Sequence, residues 1–154
     1  MIFENHHIAH RNIVSKLYNF VPEEIQLAVE DFDKILTNHG YHPNGKMFFS
    51  MMSDPRDEVM AAEIFLQIEE DYCEIPDELI FFRSYFYVSS MLMTRITEDF
   101  NVQSQVKYWE LVDYFDSHNI VQLTPVFVEY KTDPSGKHYA EMSVGYGLLP
   151  EENS

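Results

Sequence analysis

An α+β fold made of two copies of a strand-helix-strand-strand unit, packed as one curved antiparallel sheet with two helices on one face, is predicted by three observations. The first is an internal repeat. A shift of 79 positions lays Val29 to Pro55 on Tyr108 to Pro134 without a gap, and a turn one residue shorter then lays Ala62-Glu63-Ile64 on Ala140-Glu141-Met142. His39 meets His118, Phe48 meets Phe127, and Asp54-Pro55 meets Asp133-Pro134. The second observation is that each copy holds one stretch of helical period and two of alternating period. The third is size: 154 residues with 45% apolar content suit one domain, burying roughly two-thirds of its unfolded surface. Two copies are too few for a solenoid, so the repeat predicts a pseudo-twofold domain with a groove between its halves, about 1–70 and 79–150.

Each element has its own reason. A polar strand around Glu4 to Lys16 opens the first half and leads to Val21-Pro22-Glu23-Glu24, where proline suits a first helical turn and the acids suit the helix dipole. Ile25, Ala28, Val29, Phe32, Ile35 and Leu36 then recur at three- and four-residue steps, forming one apolar stripe. Gly40 ends that helix in the left-handed conformation, and Asn119, the next best residue for it, ends the second helix, about Asn101 to His118. Met47 to Met52 and Val59 to Glu69 read as a hairpin around Asp54-Pro55, repeated by Pro125 to Lys131 and His138 to Leu148 around Asp133-Pro134-Ser135-Gly136. An acid-rich linker, about 69–78, joins the halves, and Ile80 to Ile96 is a long aromatic strand matching the N-terminal one. Trp109 reads as packing between helix and sheet. The polar end, Glu151 to Ser154, reads as a loose tail.

Composition narrows the function. Ten basic against 26 acidic residues leave a formal charge of −16, which opposes a phosphate backbone, so no nucleic-acid partner is expected. Cys73, the single cysteine, allows neither an internal disulfide nor a thiolate zinc site, as a reducing cytoplasm favours. No signal peptide or membrane span is expected, and the chain reads as cytoplasmic. Phosphate-cradling glycine loops, zinc-protease runs and nucleophile elbows are missing, so no cofactor and no catalysis are expected. His6 and His10 share a strand face but lack a third ligand, so no metal is expected unless one arrives from elsewhere.

Strand alternation selects the candidate site. If Ala140, Met142 and Val144 meet the helices, Glu141 points to the opposite, open face, and Glu63 does the same in the first half. Phe127 and Glu129 on one hairpin strand, with Tyr85 and Tyr87 on the aromatic strand, line that face as well. Aromatic walls around carboxylates suit a small apolar or cationic ligand. Tyr130 alternates with Val126 and Val128, which turns it toward the helices, as core with a hydroxyl at the pocket floor.

The run from Tyr108 through His118-Asn119-Ile120-Val121-Gln122-Leu123-Thr124-Pro125-Val126-Phe127-Val128-Glu129-Tyr130 to Asp133-Pro134, followed by a strand carrying Glu141, resembles the second half of GyrI-like (gyrase-inhibitor-like) effector-binding domains. The resemblance covers nearly the whole chain in its order of elements. It departs at two places, Thr124 standing for an expected glycine and Gly145 where the last strand usually has proline. What it implies is a stand-alone ligand-binding domain, since in that family the fold serves as the drug-sensing half of transcription regulators and as free proteins. No DNA-binding helix-turn-helix is expected ahead of it. An acidic adaptor or chaperone holding a protein partner is the second expectation, by similarity to acidic proteins associated with type VII secretion. A hydrolase using Glu141 with a pocket tyrosine is the third.

Overall fold

The computed structural model describes residues 1–54 and 57–149. Pro55 of the first Asp-Pro pair and the tail Glu151 to Ser154 lie outside the described residues. The chain runs β1 (Ile2–Phe20), a 3-10 turn (Pro22–Glu24), α1 (Ile25–Asn38), β2 (Pro43–Met51), β3 (Met60–Ile68), β4 (Phe81–Ile96), α2 (Phe100–His118), β5 (Ile120–Thr132) and β6 (His138–Leu148). This is an α+β fold with one antiparallel six-stranded sheet, ordered β1-β3-β2-β5-β6-β4. The order reads the same when β1, β2 and β3 are exchanged with β4, β5 and β6. Hairpin registers follow the sequence offsets too: Ser50 pairs with Glu63, and Glu129 pairs with Glu141.

Both helices pack on one core. Phe32 and Leu36 of α1 join Leu111 and Phe115 of α2 against Val14, Phe49, Ile64, Leu92, Met142 and Val144 of the sheet. Helix ends are as expected. Tyr41 donates its backbone N–H to Leu36 and Gly40 donates to Thr37, with Gly40 at φ +85, a glycine-ended Schellman turn. Asn119 takes the left-handed conformation at the end of α2, at φ 57. Trp109 is 36% exposed and stands edge-on to Tyr108.

The expected open face is closed. β1 is longer than Glu4 to Lys16, and it uses its second half to pair with β3 and most of its length to pair with β4. That last pairing joins the two ends of the sheet and leaves no free edge. The face away from the helices thereby becomes an interior, and the side chains there must pack or pair. No helix among the described residues is long and apolar enough to cross a membrane.

Candidate functional site

The interior holds four phenylalanines. Phe48 and Phe65 stack with ring centroids 4.5 Å apart, Phe86 and Phe127 meet them tilted and meet one another edge-on, and Ile8, Ile13 and Met91 lie beside them. Phe127 is therefore wall to a packed cluster. Tyr85 and Tyr87 do not join it. They stack on one another outside, 56% and 55% exposed, with Tyr87 beside His7. The reason is a register slip: Ser90 sits at φ 56, and β4 spends three residues from Val88 to Met91 where β1 spends two from Ile8 to His6. A bulge reverses the alternation, so Met91 and Phe86 both point inward and the tyrosines flanking Phe86 point out.

The three glutamates lie in the interior and are already partnered. Glu141, 3% exposed, accepts from Arg95 Nε at 3.1 Å through one oxygen and ion-pairs with Lys131 through the other. Burial pushes its carboxyl up, but the bonds from Lys131 and Arg95 outweigh this and lower it. Glu129, 6% exposed, lies 3.0 Å from His10 Nε2. Since a carboxylate only accepts, that nitrogen carries the donated proton. His6 Nε2 stands 3.9 Å from the other oxygen, beyond hydrogen-bond reach, and acts through space. Burial raises the Glu129 carboxyl, yet His10, His6 and Lys131 together hold it at about 2. Glu63 accepts from Ser15 Oγ at 2.6 Å and faces Arg83 at 3.8 Å.

Tyr130 goes elsewhere, as its alternation requires. It faces the helices and lines a cavity of about 590 Å³ between the starts of α1 and α2. Phe49, Met51 and Val128 share the floor with it, and the walls come from Val21, Pro22 and Ile25 on one side and Phe100, Asn101 and Ser104 on the other. Five pairs among these residues are 79 positions apart: Val21 with Phe100, Pro22 with Asn101, Ile25 with Ser104, Phe49 with Val128, and Met51 with Tyr130. The cavity thus lies between the halves, on the opposite side of the sheet from the expected groove.

Its chemistry is apolar with a negative rim. Tyr130 is 44% accessible yet enclosed by protein, as a side chain lining a recess is, and this enclosure raises its phenol. Its hydroxyl makes no hydrogen bond among the described residues, and its ring leans on Phe49 at 6.1 Å. Glu23, Asp57 and Glu58 border the opening. Each helix start contributes about half a positive charge, so among the described residues three carboxylates outweigh the helix starts at the rim. Sequence reasoning misses this cavity because nothing in the spacing of the helix-facing apolar residues shows the helix starts standing apart. The repeat offset was the available signal. A second cavity of about 350 Å³ opens on the interior side past His10, Phe48, Glu129 and Lys131.

The fold is similar to that of the EcmrR C-terminal domain, at 9% identity and TM-score 0.62, over 94% of this chain and 98% of that one. It is similar also to EcmrR in its complex with DNA in EcmrR-RPo, at 9% identity and TM-score 0.65, where the matched region spans 94% of this chain and 58% of that one. SAV2435 bound to tetraphenylphosphonium matches at 12% identity and TM-score 0.47, over 94% of each chain, a level that carries no ligand over to this one. No curated protein matches significantly. A family model described as Domain of unknown function (DUF5085) matches residues 9–144.

Proposed function

We propose, for a chain that belongs to the Domain of unknown function (DUF5085) family, that it holds a small, largely apolar, positively charged molecule in the cavity between the starts of its two helices. The observation that carries this reading is the cavity itself. At about 590 Å³ it falls within the range of small-molecule sites, and it combines aromatic walls with a few convergent polar groups. Phe49, Phe100 and Tyr130 offer ring faces to a cation, and the rim acids offer it countercharge. On this reading the halves are duplicated copies and the domain works as the GyrI-like effector-binding domains that its sequence resembles, by binding without turnover. We place it in the cytoplasm and without a nucleic-acid partner, because a net charge of −16 repels phosphate.

One observation favours a second reading. The stacked, exposed Tyr85 and Tyr87 form the kind of rigid aromatic pair that anchors a protein partner. Titration decides between them. A lipophilic cationic dye should bind at one site, more tightly than a neutral dye of equal size, and lose affinity in Tyr130→Phe but not in Tyr85→Ser. Absence of dye binding to the unmodified protein would overturn the cavity reading.

A further inference from the structure

We propose that His6, Glu129 and Glu141 form a binding site for a divalent transition-metal ion of the zinc type, with His10 and Arg95 positioning the two carboxylates. This is independent of the helix-side cavity. His6 comes from β1, Glu129 from β5 and Glu141 from β6, and one ligand atom of each lies within 4.8 Å of the others. A chelate at zinc distances of ~2.0–2.2 Å sets its ligand atoms about 3.3 Å apart, so closing on an ion takes side-chain shifts of about an ångström.

The His6 imidazole identifies what is missing. Its Nε2 is buried and has no hydrogen-bond partner among the described residues, although it faces two carboxylates. With a proton on Nε2 the donor is too far from Glu129 to bond; without one, a lone pair is aimed at negative charge. Either state leaves a buried polar atom unsatisfied. A cation between the three groups satisfies all of them.

The surroundings are those of a metal site. A ligating carboxylate needs its other oxygen held. Glu129 has His10 on one oxygen and His6 near the other, while Glu141 has Arg95 on Oε2 and only Lys131 on Oε1. Lys131 is the resident cation; its side chain is 38% exposed, so a dication that takes Oε1 displaces the ammonium toward solvent. Glu129, with His10 and Lys131, lines the 350 Å³ cavity, which brings an ion from solvent to that carboxylate. One imidazole, two carboxylates and no thiolate suit zinc, with manganese as the harder competitor, and three protein ligands leave a position toward the cavity for water.

The full chain, purified without a histidine tag and dialysed against a chelator, is titrated with zinc chloride by calorimetry, with magnesium as control. One zinc should bind per chain and magnesium should not. His6→Ala should lose zinc binding by about 100-fold, and His10→Ala should weaken it about 10-fold. Lys131→Met should tighten it, because the competing ammonium is gone. A zinc-dependent rise in Tm that His6→Ala abolishes while keeping its metal-free Tm separates lost ligation from lost folding. Absence of stoichiometric zinc in both the unmodified protein and Lys131→Met would overturn the site, as would zinc binding that His6→Ala leaves unchanged.

Discussion

Thr124 and Gly145 fit into one another across β5 and β6. The Gly145 N–H donates to Thr124 Oγ1 at 2.8 Å, and a Cβ built on Gly145 meets the Thr124 methyl at 2.7 Å. These are the two positions at which the sequence departs from the GyrI-like pattern it resembles, which has glycine at the first and usually proline at the second. A proline at 145 would have no N–H to give and would collide with the threonine methyl. The two departures are therefore one local solution, seated where β5 runs two residues long between Gln122 and Val126.

That interlock predicts strong coupling. Gly145→Ala alone should destabilise by about 1–3 kcal/mol, the usual range for overpacking. In a Thr124→Gly background the same change should cost much less, since the blocking methyl is gone. Urea unfolding of the four variants measures the interaction, and simple additivity would show that the glycine is there for another reason.

Glu129 predicts an acid limb. Its carboxyl is held at about 2 in the fold against an ordinary 4.5. A depressed folded value contributes stability fully above about pH 4.5, lost as pH falls toward 2. The shift corresponds to on the order of 3 kcal/mol. Glu129→Gln should therefore be less stable than the unmodified protein at pH 7 and should lose less between pH 5 and pH 2.5. Parallel stability curves for the two proteins would rule the assignment out.

Local periodicity made much of the fold legible. The Leu36-to-Tyr41 turn, the left-handed Asn119 and the pairing of Glu129 with Glu141 all follow from spacing within a few residues or from the repeat. What stayed hidden depends on backbone irregularity or on distant partners. Asn5 and Ser90 adopt positive φ inside long strands, and each slip reverses alternation, so unbroken alternation puts Tyr85 and Tyr87 on a face they do not occupy. Alternation puts Glu129 and Glu141 on the side away from the helices, where they lie, but their partners His10 and Arg95 are 119 and 46 positions away. Glu129 on β5 and Glu141 on β6 come within 4.8 Å of His6 on β1, a meeting of distant strands that no local spacing shows.

Tyr130→Phe separates the pocket from the core. The hydroxyl has no partner among the described residues, so its removal should leave the Tm unchanged or slightly raised. On the cavity reading that hydroxyl contacts the ligand, and dye affinity should fall about 5- to 10-fold, the worth of one hydrogen bond. A variant that loses stability and affinity together would show instead that Tyr130 is structural.

The rim acids should decide preference rather than capacity. Asp57 and Glu58 border the helix-side cavity, and exposed charges of this kind each contribute ~0.2–1 kcal/mol to a nearby partner. The pair Asp57→Asn with Glu58→Gln should therefore weaken a cationic dye by about 2- to 30-fold and leave a neutral dye of the same shape unchanged. The difference between the proteins should shrink in 1 M salt, where the screening length falls from ~10 Å to about 3 Å. Equal losses for both dyes would mean that the substitutions had altered the cavity's shape, and an unchanged cation affinity would move the charge recognition to the interior carboxylates.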